Sequence, residues 1–341
     1  MNEIDKILKY LIQKGISPSF NYAIINKNKT YINSLGYIDL ETLSKTNNNT
    51  LYDLASLTKI FTVTIISILQ EQNKLNYNDY VHNYIKEFKH KNITIYNLLT
   101  HSSGIINKID NKLNKEQYLN ELYNVDLSYE TGKKAYYSDL NYILLGLIIE
   151  KITNNTLDIV MNELIFKPLE MTDTRFNPES TNVAATEFTS DRGLVKGFVH
   201  DEKAYLLGGV AGHAGVFSNT KDLCKFATMI FNDGIYNNKK ILSKKSIDLW
   251  FKEMFFDDVT LQKRSFSWIV GNNYMTKKCS KNTISHTGFT GTSILIDKDN
   301  DFSIIILSNR IHPSRSNRRY NIYRKLIIDL IYEKIFKNTN L

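Results

Sequence analysis

The chain has 341 residues, 43 Lys and Arg against 35 Asp and Glu, a formal net charge of +8 and 42% hydrophobic residues. That is enough apolar chain for a large globular core, and with both charge signs abundant the excess is expected on a solvated surface rather than at a nucleic-acid interface. Cys224 and Cys279 are the only cysteines and form no C-x-x-C pair, which argues against a disulfide framework and a cysteine-based zinc site.

Met1 to Ser17 alternates charged and apolar residues and lacks the apolar core of about 7 to 15 residues found in a secretory signal. No stretch reaches the roughly 18 uninterrupted apolar residues of a membrane span. The chain as it stands is therefore expected to be soluble and cytoplasmic, or extracytoplasmic if a leader preceded this numbering. Leu8, Leu11 and Ile12 share a helical face, and two strands, Phe20 to Ile25 and Thr30 to Tyr37, follow around a polar turn at Asn26 to Lys29. From Leu57 to Leu69 nearly every side is apolar, the pattern of a helix buried all round.

Between about Tyr77 and Glu187 strand signals are scarce, and helical runs recur at Ile95 to Leu99, Leu140 to Ile152 and Leu157 to Leu164, the last closed by Pro168. A Gly-rich loop, Gly208 to Gly215, precedes a helix from Asp222 to Phe231 with Thr220 as its expected N-cap. Strands are then expected at Thr283 to His286, Thr292 to Asp297 and Phe302 to Ser308, the last two joined by a turn at Lys298 to Asn300, and a final helix at Asn321 to Phe336. Strands at both ends with helices between them predict an α+β fold: one antiparallel sheet built from both termini, covered by helices, with a mostly helical insertion. A single domain is expected over 1–341, its sheet part at about 1–75 and 190–341 and its helical part at about 76–189. The densest basic stretch, Arg310 to Lys325 with Arg315, Arg318, Arg319 and Arg324, reads as a solvated face. It lacks aromatics interleaved in a base-stacking motif, so no nucleic-acid partner is expected.

Three short constellations carry chemistry. Ser56-Leu57-Thr58-Lys59 sets a hydroxyl and an ammonium on one helical face at the start of the apolar helix. The plain alternative is a capping serine and a surface lysine, but the flanking Ile60 and Phe61 leave little room for a lysine without a purpose. In a low-dielectric pocket such a lysine can have its pKa lowered and act as a base toward serine. Tyr137-Ser138-Asp139 stands in a loop entering the Leu140 helix, where the tyrosine can relay protons or simply pack while Ser138 or Asp139 caps. His286-Thr287-Gly288, followed by Phe289-Thr290-Gly291-Thr292, ends a strand, where glycine lets backbone approach a ligand.

Together with Leu98-Leu99-Thr100-His101-Ser102-Ser103-Gly104, Pro168-Leu169-Glu170-Met171 and Gly208-Gly209-Val210-Ala211-Gly212-His213-Ala214-Gly215, these motifs resemble the serine β-lactamase and penicillin-binding protein superfamily. The branch they resemble is that of class C β-lactamases, D,D-peptidases and esterases, over about Phe20 to Phe336. The resemblance implies that Ser56 is the acylated nucleophile, Lys59 its hydrogen-bonded partner and Tyr137 the group exchanging protons with Ser56 and the leaving group. It also implies that His286 takes the lysine position of K-T-G beside Thr287 and Gly288, and that the N–H groups of Ser56 and Phe289 form an oxyanion hole. Substrate would lie along the strand edge as an added strand. No cofactor is implied, and the partner is a small-molecule or peptide substrate: a D-alanyl peptide, then a small ester, with β-lactams poor or inhibitory. A penicillin-binding sensor without turnover is the alternative.

Two positions depart from the family pattern. Asp139 stands where Y-x-N has asparagine, so it accepts only, and it would weaken β-lactam recognition and hold Lys59 protonated. His286 in place of lysine would make the positive charge depend on pH near neutrality. His101, His200 and His213 with Asp201 and Glu202 have no metal-ligand spacing, so no metal site is expected. His101 reads as a cap or core hydrogen-bonder, the glycine loop as shaping the cleft rim or packing against it, and Glu187 and Asp201 as salt-bridge partners.

Overall fold

The computed structural model describes residues 2–27, 29–106, 109–110, 112–257, 261–271 and 275–336. Eight strands form one antiparallel sheet among the described residues, in the order Phe255–Asp257, Gln262–Arg264, Ile269–Val270, Thr283–Thr287, Ser293–Asp297, Phe302–Leu307, Ser19–Asn26 and Lys29–Gly36. The N-terminal strand lies between its own hairpin partner and the last strand of the chain, with Tyr22 opposite both Asn33 and Ile306. Strands from both ends of the chain thus share one sheet, as the α+β reading requires, with the N-terminal hairpin forming one of its edges. The turn expected at 26–29 includes Asn28, which lies outside the described residues.

Alternation along the central strands serves two cores, because successive side chains of a strand face opposite ways. Tyr22, Ile24, Ile304 and Ile306 pack under the terminal helices Asn2–Gln13 and Tyr320–Phe336, against Ile4, Leu8, Leu11, Ile327, Ile328 and Ile331. Ala23, Ile25, Ile305 and Leu307 face the larger core around the central helix Thr58–Glu71. Residues 58 through 69 of that helix are all buried, and Phe61 meets Phe166 and Phe226 edge-on at 5.2 and 5.1 Å. The helix Asp139–Thr153 packs beside it, and the helical segments Ile95–Leu99 and Leu157–Met161 complete this layer.

Several boundaries differ from the sequence reading. The last helical run passes through a π-turn, Asn162–Phe166, before Pro168. Thr220 is the first residue of its helix rather than the cap. Asn219 caps it by accepting from the Asp222 N–H, while the Asp222 carboxylate accepts from the N–H groups of Asp173 and Thr174. The strand ending in His286 is not a free edge along its length, because Ser285 and Ile284 pair with Ile269 and Val270. Only its last residues, His286 and Thr287, pair on one side alone, with Ile294 and Ser293.

Candidate active site

Ser56 sits in a single 3-10 turn, Ala55–Leu57, that leads into the central helix. Ala55 adopts φ 47°, a left-handed conformation that costs a side-chain-bearing residue on the order of 1–3 kcal/mol and needs support around it. That support comes from both sides. The buried Asp53 carboxylate accepts the Ala55 N–H at 2.8 Å and the His200 N–H at 2.7 Å. Thr290 and Thr292, in the turn after His286, donate to the carbonyls of Asp53 and Leu54 at 2.7 and 2.9 Å. The turn is therefore bolted to the segment presenting Ser56, and it comes so close at Gly288 that an added Cβ would stand 2.3 Å from the Leu54 carbonyl oxygen.

Lys59 is fully buried, and its Nζ donates to Ser56 Oγ at 3.0 Å, to Asp139 Oδ1 at 2.9 Å and to the His213 carbonyl at 3.3 Å. The last bond is why the glycine loop packs here. Thr62 Oγ1 holds the Gly212 carbonyl at 2.7 Å, and a Cβ on Gly212 would be 2.2 Å from the Tyr142 carbonyl oxygen. Burial alone would push the Lys59 ammonium down, but the Asp139 carboxylate, with Tyr137 adding to it, outweighs burial and raises its pKa above the ordinary lysine value. Of the two expectations for this lysine, a base with a lowered pKa and a cation held by Asp139, this environment favours the cation.

Asp139 is the junction of a longer chain of alternating charge. Burial would raise its carboxyl, yet the charges of Lys59, His213 and Lys203 hold it well below the usual carboxylate range. Its second oxygen meets Lys203 Nζ at 3.1 Å, Lys203 reaches Asp201 at 3.7 Å, and Asp201 Oδ1 lies 2.7 Å from His213 Nε2. Asp139, Asp201 and His213 cluster closely enough for a metal, but the ammonium groups of Lys59 and Lys203 already balance both carboxylates. A cation there would meet two like charges. His200 pairs with Glu187 at 2.8 Å, and Arg315 bridges Glu187 and Glu202.

The Tyr137 ring centre lies 4.8 Å from Lys59 Nζ and 4.6 Å from the ring of His101. His101, buried at φ 58°, accepts the Ser138 N–H on Nδ1 at 3.1 Å, and its carbonyl accepts the Tyr136 N–H at 2.9 Å, so it brackets Tyr137 from both sides. His286 is buried beside Tyr137, with Nδ1 3.1 Å from the Thr287 carbonyl. Burial, then the nearby Lys59 and Arg264 charges, push its pKa well below the ordinary histidine value. A charge titrating near neutrality at His286 is therefore not what this environment gives: the ring is neutral. The Phe289 N–H has no protein acceptor among the described residues, and its ring, 48% exposed, stacks on His200.

Ser56, Tyr137, His286, Thr287, Gly288 and Phe289 line one cleft of about 550 Å³. All the candidate residues read from the motifs meet at it or directly behind it. Of the residues that support them, His101 is the core hydrogen-bonder and Asp201 the salt-bridge partner expected from the sequence, while Lys203 was not singled out. The basic stretch divides: Arg315, Arg318 and Arg319 are exposed, as a solvated face requires, whereas Arg310 and Arg324 are 5% and 8% exposed and, with Lys325, line the same cleft.

A serine on a helix start, a buried lysine three residues on, and a tyrosine and a strand-end turn closing the cleft over an antiparallel sheet define a class of serine hydrolases. The Beta-lactamase family model matches residues 4–327, and the chain belongs to that family. A protein of Escherichia coli (strain K12) named "Putative D-alanyl-D-alanine carboxypeptidase" is 33% identical over 94% of this chain and 85% of its own. Among solved structures, EstCE1, a hydrolase with promiscuous acyltransferase activity, superposes with TM-score 0.78 at 20% identity, covering 96% of this chain and 97% of that one. A class C β-lactamase from Rhodobacter sphaeroides gives TM-score 0.77 at 17% identity, covering 97% of this chain and all of its own. No helix among the described residues is long and apolar enough to cross a membrane.

Proposed function

We propose that this protein transfers acyl groups through Ser56: the Ser56 oxygen attacks an amide or ester carbonyl, the amine or alcohol departs, and water releases the acyl group. The observation that carries the reading is the 3.0 Å hydrogen bond from the buried Lys59 ammonium to Ser56 Oγ, at the wall of an open cleft. With Lys59 held as a cation by Asp139, its part is to orient Ser56 and stabilise negative charge rather than to remove the proton. Tyr137 exchanges that proton: it passes from Ser56 to the leaving group as the Ser56 oxygen–carbon bond forms and the carbonyl carbon–leaving group bond breaks. The N–H groups of Ser56 and Phe289 receive the oxyanion, an arrangement supported by the Thr290 and Thr292 bonds that fix the two segments together. His286, Thr287 and Gly288 offer a short open strand end for an extended substrate.

The substrate class we favour is a D-alanyl peptide, then a small ester. Asp139 occupies the position from which an asparagine would donate to a β-lactam side chain, and both of its oxygens are engaged by lysines. The carboxypeptidase name of the Escherichia coli relative points the same way. We take 1–75 and 190–341 with 76–189 as one catalytic unit, since residues of both parts share the core around the central helix. Intact-mass analysis of wild type and Ser56→Ala after exposure to esters, D-alanyl-D-alanine peptides and β-lactams tests the reading. Product or adduct in wild type and none in Ser56→Ala is expected, and a persistent adduct without product marks the non-turnover sensor. Absence of any Ser56-dependent product or adduct refutes it.

A further inference from the structure

The charges behind the nucleophile do not stop at Lys59. Asp139 gives one oxygen to Lys59 and the other to Lys203, whose Nζ stands 3.1 Å from Asp139 Oδ2 and 3.7 Å from Asp201. Oxygens of the two carboxylates come within 4.8 Å of each other, where like charges oppose unless a cation lies with them. Lys203 is that cation: burial alone would lower its pKa, but Asp139 and then Asp201 raise it. Around this pair stand Lys59 from the central helix, His213 from the glycine loop, Tyr118 from the helix Lys115–Asn124 and Asp53 on the far side of Asp201, and the Asp139 charge is felt at His101 and His286. Apolar side chains of the same shape often match or exceed the stability of buried ion pairs. Stability alone is therefore a weak reason for a row of alternating charges that ends on Ser56 Oγ.

The row is also held mechanically. Asp201 caps the short helix Glu202–Leu206 by accepting the Ala204 N–H at 2.9 Å, and the same oxygen lies 2.7 Å from His213 Nε2. The segment 201–213 is thereby closed on itself, and it reaches Lys59 twice: directly through the His213 carbonyl, and through Lys203 acting on Asp139. We infer that Lys203 is a positioning residue for acylation of Ser56, holding the Asp139 carboxylate between two ammonium groups so that Asp139 anchors Lys59 without cancelling the positive charge that Lys59 presents to Ser56 and Tyr137. Without Lys203, two neighbouring carboxylates would face Lys59 alone. One of them would take up a proton or swing away, and the Lys59 ammonium would lose its aim at Ser56. The inference rests on the Ser56 hydrolase reading and names what keeps its Lys59 in place.

The test reads Ser56 reactivity in the full chain with two probes, hydrolysis of p-nitrophenyl acetate and labelling by a fluorophosphonate followed by intact mass. Lys203→Met should lower kcat and the labelling rate on the order of 10- to 100-fold, the cost of a misplaced catalytic group, with KM changed less than about threefold. Lys203→Arg keeps the charge and should return both rates to within about fivefold of wild type. Between about pH 5 and 9, Lys203→Met should show an acid-side fall in kcat/KM at least about one unit above any in wild type, because the carboxylates left together hold a proton more tightly. In an Asp139→Asn background Lys203→Met should cost less than about twofold, since the residue it acts through is gone. Thermal unfolding checks that each variant is folded, and Lys203→Gln replaces Lys203→Met with the same expected outcomes if the latter does not fold. Unchanged kcat in Lys203→Met, a loss that recurs in full on Asp139→Asn, or a pH profile of unchanged shape overturns the inference and leaves the Ser56 reading intact. A wild type whose Ser56 reacts with neither probe refutes the hydrolase reading and the inference with it.

Discussion

Replacing Asp139 by asparagine removes one negative charge from the centre of the alternating chain while keeping its shape. At 2.9 Å and an effective dielectric of about 20, the gross attraction between Asp139 and Lys59 is roughly 6 kcal/mol. Lys59 is fully buried and is left with neutral acceptors such as Ser56 Oγ and the His213 carbonyl, so an uncompensated ammonium remains and the net loss should be about 3–5 kcal/mol. The pH dependence gives the sign. The folded-state pKa of Asp139 is depressed, so its contribution is present above the unfolded value of about 3.9 and is lost as pH falls toward the lower folded value. Urea unfolding of wild type and Asp139→Asn between about pH 3 and 8 should show a gap that is constant above about pH 5 and narrows on acidification. The double variant Asp139→Asn with Lys203→Met also removes a cation that Asp139 had neutralised, and should recover about 1–2 kcal/mol relative to additivity. Asp139→Asn as stable as wild type at neutral pH, or a gap that widens in acid, refutes the reasoning.

Three further outcomes are expected. Ser56→Ala should abolish turnover, by about 10³-fold or more, while changing stability by under about 1 kcal/mol, checked by steady-state ester hydrolysis and thermal unfolding. Gly288→Ala sets a Cβ 2.1 Å from Thr292 Oγ1 and 2.3 Å from the Leu54 oxygen, so it should cost about 1–3 kcal/mol and lower kcat at least tenfold by loosening the Ser56 segment; unchanged kcat would contradict the bolted turn. His101 and His286 are both depressed, so their stabilising contribution is present above the unfolded value of about 6.5 and is lost as pH falls through their lower folded values. NMR titration of their ring protons should show no midpoint between about pH 6 and 8, and a midpoint there contradicts the neutral ring assigned to His286.

What the sequence could reveal depended on whether a residue acts through its neighbours in the chain. Ser56 and Lys59 are legible because their spacing is itself the geometry, and the central helix because it is apolar on all sides. The strands Phe255–Asp257, Gln262–Arg264 and Ile269–Val270 passed unnoticed, being two or three residues long and too short for alternation to register. Lys203 stands in the five-residue helix Glu202–Leu206 among other charges, and only the fold brings it to Asp139. Arg324 did leave a signal. Tyr320, Arg324, Ile327, Ile328 and Ile331 follow the buried stripe of the last helix, so an arginine on that stripe was never a surface residue. Reading the basic stretch by charge density alone hid that periodicity.

The bolt between Thr290, Thr292 and the backbone before Ser56 also has a consequence for biosynthesis. The serine leaves the ribosome early, but the turn that fixes it lies more than two hundred residues later, and the strand pairing Asn21 with Leu307 comes later still. A nascent or C-terminally truncated chain therefore carries the serine without the structure that aims it. Such a fragment should be silent toward the carbonyls around it until the segment through Leu307 has been made.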